Sequence, residues 1–255
     1  MRFTTLSIVL LAAAAPLHGQ TPKTGADVFQ RMHDAYAGKW YSTLRFVQKT
    51  TQVRPDGSRI ISTWYESLRH DPSTGTQLRI DFGEPGAGNG TLYTADSTWV
   101  FRGGKLAAAR AGGNEFLPLI EGVYMQPVAR TVAELASANV DMARVIAGRW
   151  QTRPAWIIGV PSDADTTSPQ IWVDQERNVV VRMILRVSPA LPPMDVHLDD
   201  YVPVGAGWLA TKIAMSIGGA PRQIEDYADW RVNVDLPAAL FSLTSWTTAP
   251  HWANR

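Results

Sequence analysis

The sequence predicts an α+β domain built around one large, curved antiparallel sheet. Long stretches alternate apolar and polar residues with the period of a β-strand, and short turns rich in glycine, asparagine or aspartate separate them. Between residues 114 and 138 this alternation stops and the apolar spacing becomes helical. We therefore expect about ten or eleven strands, with three or four helices covering the concave face of the sheet.

The first region of the chain is typical of an exported protein. Arg2 precedes an apolar run at residues 6–15, which is too short to span a bilayer and resembles the core of a signal peptide. We predict a signal peptide over residues 1–20 and one domain over residues 21–255. The spacing then predicts a helix over residues 27–39, with Thr24 or Asp27 as its cap.

Strands are predicted between this helix and the helical region at residues 114–138, and again after that region. A strong turn signal, Arg-Pro-Asp-Gly at residues 54–57, joins the first two strands into a hairpin. The last strand precedes a helical or turn segment at residues 237–241. The predicted strands occupy residues 41–52, 59–68, 76–82, 91–94, 98–102, 105–109, 140–150, 155–160, 171–173, 179–187, 195–203, 208–217 and 223–234.

The hairpin at residues 170–187 organises the prediction. Its two strands are joined by a polar loop at residues 174–178, and the second strand carries one wholly apolar face. A strand of this length extends roughly 30 Å at about 3.4 Å per residue. An apolar face of that size needs a cover. The residues on it are Val179, Val181, Met183, Leu185 and Val187.

Two predicted helices between residues 114 and 138 supply this cover, or lid. Pro127 marks the start of the second helix. The apolar lid residues are Phe116, Leu117, Leu119 and Ile120 in the first helix, and Val128, Val132 and Leu135 in the second.

Alternation in several strands directs apolar side chains to one side of the sheet, where they line either a ligand cavity or an ordinary core under the helices. The candidate lining residues are Leu44, Phe46, Trp64, Ile80, Phe82, Val181, Met183, Leu185, Val196 and Leu198.

The composition and motifs favour binding over catalysis. The chain has no cysteine, and its net charge of +1 argues against a nucleic-acid partner. His197 and Asp199 share a strand face, but a zinc site needs more ligands, so we expect no metal and no cofactor. The sequence has no nucleophile elbow, zinc-protease motif or phosphate loop. Catalysis by residues distant in sequence remains an alternative.

Four stretches of the chain resemble the LolA-like family of periplasmic lipoprotein carriers and lipoprotein-sorting proteins. They read QRMHDAYAGKW with the following LRFVQKTT, QIWVDQERNVVVRMIL, DDYVPVGAGWLATKI, and LFSLTSWTTAPHW. The resemblance implies an unclosed β-barrel whose apolar concave face, lidded by helices, takes up acyl chains. It also implies a lid hydrogen bond from Arg45, although alternation places Arg45 opposite Leu44 and Phe46.

The combined prediction is a monomeric, non-enzymatic periplasmic carrier for a lipid or for the acyl chains of a lipoprotein. A lipoprotein receptor at the inner or outer membrane is the partner that this implies. Two alternatives remain open: an envelope sensor or protein-interaction domain on the same fold, and a hydrolase whose site the sequence does not reveal.

Overall fold

The computed structural model describes residues 20–186 and 190–254. Thirteen antiparallel strands form one sheet in the order β6-β5-β4-β3-β2-β1-β13-β12-β11-β10-β9-β8-β7. The strands are β1 Thr43–Val53, β2 Arg59–Asp71, β3 Gly75–Phe82, β4 Gly90–Tyr93, β5 Ser97–Arg102, β6 Lys105–Ala111, β7 Val145–Trp150, β8 Arg153–Ile158, β9 Gln170–Asp174, β10 Val180–Leu185, β11 Met194–Val204, β12 Gly207–Ile217 and β13 Ala220–Val232.

The strand order explains why the sheet is open. β6 and β7 are consecutive strands along the chain, but they form the two opposite edges of the sheet. The sheet therefore does not close into a barrel. The total of 13 strands exceeds the overall expectation of about ten or eleven, but each of the 13 segments predicted individually overlaps one observed strand. The end of the predicted strand at residues 179–187 and almost all of the predicted signal peptide lie outside the described residues.

Helix α1, Gly25–Tyr36, begins earlier than predicted because Thr24 caps it. The Thr24 hydroxyl accepts a hydrogen bond from the backbone N–H of Asp27, and the Asp27 carboxylate accepts one in return from the N–H of Thr24. This reciprocal pair is a capping box. The apolar face of α1, which includes Val28, Phe29 and Met32, is buried in the core against the sheet.

The predicted lid forms, but its first helix has a different geometry. A π-helical turn at Pro118–Gly122 runs directly into the short helix α2, Val123–Met125, and α3 spans Val128–Glu134. We refer to these three elements as the lid. π-Helical turns are rare and occur often at functional sites. Within the described part of the chain, no helix combines the length and the apolar character needed to cross a membrane.

A second, smaller core lies on the other face of the sheet. The C-terminal segment, residues 235–254, packs its apolar side chains against Leu92 and Phe101. Trp246 stacks on Phe101 with ring centroids 4.1 Å apart and the planes 4° from parallel. The sheet is therefore covered on its concave face by α1 and the lid, and on part of its other face by the C-terminal segment.

Candidate functional site: a lidded apolar cavity

A cavity of about 290 Å³ remains between the concave face of the sheet and the lid. Its walls come from eight strands, from the lid and from the segment that follows α1. The wall side chains are mainly apolar and aromatic: Trp40, Tyr41, Leu44, Phe46, Trp64, Leu68, Leu78, Ile80, Phe82, Tyr93, Phe116, Leu117, Ile120, Tyr124, Val179, Met183, Val196, Leu198, Tyr201, Trp208, Leu209, Ala210, Ile213, Met215 and Tyr227.

All but two of the predicted lining residues reach this cavity. Those in the wall are Leu44, Phe46, Trp64, Ile80, Phe82, Met183, Val196 and Leu198. Val181 and Leu185 are buried in the same core without forming part of the wall. For Val181 the reason is local: the register between β9 and β10 shifts between Val180 and Arg182, and such a bulge interrupts the alternation of side chains.

The predicted lid residues divide between the cavity and the packing behind it. Phe116, Leu117 and Ile120 form part of the cavity wall. Leu119 and Leu135 are buried in the core without lining the cavity, and Val128 and Val132 pack partly buried against it.

Arg45 lies away from the lid. Its guanidinium group is placed over the ring of Trp252 in the C-terminal segment, 4.5 Å from the ring centroid. Among the described residues it has no hydrogen bond to the lid that the family resemblance implied. The alternation of side chains at the start of β1 explains this placement, because Leu44 and Phe46 face the cavity and Arg45 therefore points to the opposite face.

The lid is held by hydrogen bonds to one of its own side chains, Glu121, and not by a hydrogen bond from Arg45. Glu121, in the π-helical turn, accepts a hydrogen bond of 2.8 Å from the indole N–H of Trp40 and another of 2.8 Å from the hydroxyl of Tyr41. Trp40 also stacks on Tyr124 of the lid, with centroids 3.7 Å apart. These contacts join the lid to the segment between α1 and β1.

The turn between β9 and β10 accepts hydrogen bonds from both α1 and the lid. The hydroxyl of Tyr36 donates a hydrogen bond of 2.5 Å to the carbonyl of Arg177, and that of Tyr124 donates one of 3.2 Å to the carbonyl of Asn178. Trp208 donates its indole N–H to the Tyr36 hydroxyl at 2.9 Å. Single hydrogen bonds of this kind contribute about 1 kcal/mol each, so the lid is closed by modest forces.

Three glutamates face this apolar cavity. Burial raises the pKa of Glu121 to about 8, despite the hydrogen bonds from Trp40 and Tyr41 that oppose the shift. Burial also raises the pKa of Glu66 well above its usual value, and the nearby Glu225 carboxyl adds to this effect. The pKa of Glu225 is raised by burial in the same way, with opposition from the side chains of Tyr227 and Gln223.

Comparison with solved structures shows the same architecture in proteins with little sequence similarity. A DUF1329 family protein from Desulfovibrio piger superimposes with a TM-score of 0.60 at 13% identity, over 87% of this chain and 97% of that one. A domain from Vibrio parahaemolyticus, named for outer membrane lipoprotein sorting, gives 0.61 at 12% identity, over 88% and 98%. An LolA superfamily protein from Nitrosomonas europaea gives 0.53 at 12% identity, over 86% and 97%.

The fold is LolA-like. The open 13-stranded sheet with helices on its concave face matches the half-barrel of these proteins. No protein-family model matches the sequence, and no curated protein shows significant similarity to it. At these identities the likeness establishes the fold, and the chemistry of the site has to be argued from its own residues.

The acidic residues of the cavity were missed by sequence analysis, although two of them carried a signal. Glu66 lies in β2 between Trp64 and Leu68, on the face that the alternation marks as apolar. Glu225 similarly alternates with Gln223 and Tyr227 on β13. A single acid within an apolar strand face is the pattern that indicates a buried carboxyl. Glu121 carried no such signal, because its direction depends on the π-helical turn.

The cavity is suited to holding an apolar chain. Its wall is mainly hydrocarbon and aromatic, and each methylene group removed from water contributes about 0.8 kcal/mol. Among the described wall residues there is no lysine, arginine or histidine to attract an anionic head group. The polar groups in the wall are those of the three glutamates, Asn114 and Gln223, the hydroxyl groups of the tyrosines, and the indole N–H groups of Trp40, Trp64 and Trp208.

Proposed function

We propose that this protein is a periplasmic carrier that binds a lipid, or an acyl chain of a lipoprotein, in the cavity between its sheet and its lid. The observation that carries this proposal is the cavity of about 290 Å³, lined mainly by apolar side chains and covered by short helices. Unfilled apolar space of this size is uncommon in a close-packed interior, whose few voids are seldom larger than a water molecule. It lies near the lower end of the range of about 300–1,000 Å³ for small-molecule sites.

The volume limits how much of a ligand the closed cavity accepts. If a methylene group occupies roughly the volume of a water molecule in the liquid, about 30 Å³, the space is sufficient for roughly ten carbons of one chain. A lipid with several long chains therefore requires the lid to move outward. Several weak contacts, rather than one strong one, close the lid, which is compatible with reversible opening.

The proposed mechanism is burial and release without a covalent step. Affinity comes from removing the chain from water, and the rate of release depends on how often the lid opens. The carrier acts as a monomer and gives its cargo to a lipoprotein receptor in the inner or outer membrane. The short N-terminal apolar run supports export to the periplasm, and the solved domain named for outer membrane lipoprotein sorting supports this place of action.

Occlusion of the cavity by one side chain tests this proposal. Ala210 is a small residue in the cavity wall, and Ala210→Phe places an aromatic ring into the space. Ala108→Phe, on the exposed edge strand β6, is the matched control. The reporter is N-phenyl-1-naphthylamine, an uncharged dye that fluoresces in apolar surroundings, titrated into each purified protein.

We expect saturable dye binding by the native protein and the Ala108→Phe control, and a loss of at least about tenfold in affinity for Ala210→Phe, equal to about 1.4 kcal/mol. Equal binding by all three would place the dye elsewhere and refute the carrier proposal. A protein that binds neither dye nor lipid but is isolated from its host with a tightly bound protein partner would favour a sensor.

A further inference from the structure

The wall of the proposed carrier's cavity contains a carboxyl group, that of Glu66, which is unpaired within the part of the chain that the structure describes. Glu66 is 4% exposed and belongs to the cavity wall. Its carboxyl group makes no hydrogen bond or ion pair with any described residue. Buried carboxyl groups are expensive to desolvate and are normally paired, so an unpaired one that faces a cavity needs an explanation.

The surroundings of Glu66 have an excess of hydrogen-bond acceptors. Glu225, the neighbouring acid, already receives the amide N–H of Gln223 at 2.6 Å and the hydroxyl of Tyr227 at 2.8 Å. Gln48, on the intervening strand β1, is 1% exposed, and its Oε1 atom is buried without a partner. Gln48 does not form part of the cavity wall, whereas Glu66 does and has no donor among the described residues, so a donor-rich ligand group in the cavity would supply the donor that Glu66 lacks.

A primary ammonium group fits this pattern best. It presents three N–H donors and one positive charge, and a carboxylate that binds it in a desolvated site forms a strong, charge-assisted hydrogen bond. A fatty-acid carboxylate or a phosphate would instead add a negative charge beside two carboxyl groups in surroundings of low dielectric constant. The wall offers no described cationic side chain that would offset it.

We infer that the cavity selects single-chain amphiphiles whose head is a hydrogen-bond donor, above all a primary amine, and that Glu66 receives this head while the chain lies along the apolar wall. The inference rests on the proposed lipid-binding function and names its ligand class. It also assigns a direction to the ligand, since the head enters the sheet side of the cavity near β1, β2 and β13 instead of remaining in water.

A series of dodecyl compounds that differ only in the head group tests this inference. Dodecylamine, dodecanol and dodecanoate are used to displace N-phenyl-1-naphthylamine at pH 8, where an alkylamine with a pKa near that of lysine, about 10.4, carries its charge. Each compound is used below the concentration at which it forms micelles. The proteins compared are the native chain, Glu66→Gln, and the matched control Glu84→Gln, in which the altered acid is exposed in a loop.

We expect the native chain and the control to bind dodecylamine at least about tenfold more tightly than dodecanol, and dodecanoate most weakly. Glu66→Gln should retain dodecanol binding and lose the preference for the amine. Glu225→Gln provides a second variant if Glu66→Gln does not fold, and should reduce the same preference by a smaller factor because its carboxyl already has two donors.

The remaining outcomes separate the two proposals. If the dye and dodecanol bind but the amine has no advantage, or if Glu66→Gln retains the full advantage, the head-group inference is overturned and the carrier proposal stands. If the native chain binds neither the dye nor any dodecyl compound, the carrier proposal fails and the inference fails with it.

Discussion

Buried acidic side chains on the two faces of β3 and its neighbouring strands differ in whether they have a hydrogen-bond partner. On the face covered by the C-terminal segment, the Asp81 carboxylate is fully buried and receives two hydrogen bonds from the guanidinium of Arg79, at 2.7 and 2.8 Å. Arg79 also donates to the carbonyl groups of Leu240 and Trp246 and lies 3.9 Å from the centroid of the Trp246 ring. On the concave face, Glu66 is also buried, and it has no such partner among the described residues.

This difference distinguishes a structural acid from one that is available to a ligand. A buried ion pair in which every guanidinium nitrogen is hydrogen-bonded holds two chain segments in one arrangement, and here it joins the sheet to the C-terminal segment. A buried acid without a partner destabilises the fold, which a protein tolerates more readily where a site requires it. The comparison leads to four predictions, from the largest expected effect to the smallest.

Removing the guanidinium of Arg79 should have the largest effect. Arg79→Met leaves the buried Asp81 carboxylate without its guanidinium partner, with only the imidazole of His251 nearby at 3.3 Å, and breaking a buried ion pair in this way costs about 3–5 kcal/mol. Urea unfolding measures the loss, and Arg102→Met, which alters an exposed arginine of β5, should leave the free energy of unfolding nearly unchanged. A loss below about 1 kcal/mol for Arg79→Met would mean that the pair does not hold the C-terminal segment.

Replacing each acid by its amide should separate the two faces. Asp81→Asn weakens hydrogen bonds from a buried cation and should lower the free energy of unfolding by about 2 kcal/mol. Glu66→Gln removes an acid that lacks a partner and should leave stability unchanged or raise it, most clearly at pH 8. Urea unfolding of both variants at pH 8 checks this contrast. Equal losses for the two would contradict the distinction between the faces.

The pH dependence of stability should follow from the acids of the concave face. The pKa of Glu121 is about 8 in the folded protein and near 4.5 in the unfolded chain. The folded state therefore binds the proton more tightly between these two pH values. The contribution of Glu121 to stability is complete below the lower value and is lost as the pH rises through the higher one, by up to about 1.4 kcal/mol per pH unit. The pKa values of Glu66 and Glu225 are raised as well, so their ionisation has the same effect on stability.

The corresponding measurement is urea unfolding at pH 5.5 and pH 8. We expect the native chain to be less stable at pH 8, and Glu121→Gln to show a smaller difference between the two conditions, because the amide does not ionise in this range. A free energy of unfolding that rises from pH 5.5 to pH 8 would contradict the assignment of these carboxyl groups to a dry cavity.

The smallest effect concerns the lid. Tyr124→Phe removes the hydrogen bond to the carbonyl of Asn178, which contributes about 1 kcal/mol, and should increase the rate of dye release severalfold. Tyr65→Phe is the control, because the Tyr65 ring packs against Trp252 on the opposite face and its hydroxyl has no hydrogen bond with a described residue. Stopped-flow dissociation of the dye compares them. Identical rates would show that this contact does not restrain the lid.

Local patterns in the sequence were sufficient to predict the sheet and its concave face. Alternation along β1 and β3 placed Leu44, Phe46 and Ile80 on one side, where they line the cavity. The same alternation placed Arg45 on the other side, so the role implied for it by family resemblance depended on a contact that the backbone does not permit.

What sequence analysis missed depended on contacts between distant segments. The ion pair of Arg79 and Asp81 appears in the sequence as two charges on a solvated strand face, and it is buried only because the C-terminal segment folds back over β3. Glu121 depends in the same way on a π-helical turn that directs it towards Trp40 and Tyr41. Neither arrangement has a periodic signature in the sequence.

The central claim is that the hollow between sheet and lid holds an apolar chain. Native mass spectrometry of the protein purified from its own host tests it most directly, with Ala210→Phe prepared in parallel. We expect the native chain to carry a bound lipid that dissociates under collisional activation and is strongly depleted in the variant. A native chain that carries no lipid, or a variant that carries as much as the native chain, would contradict it.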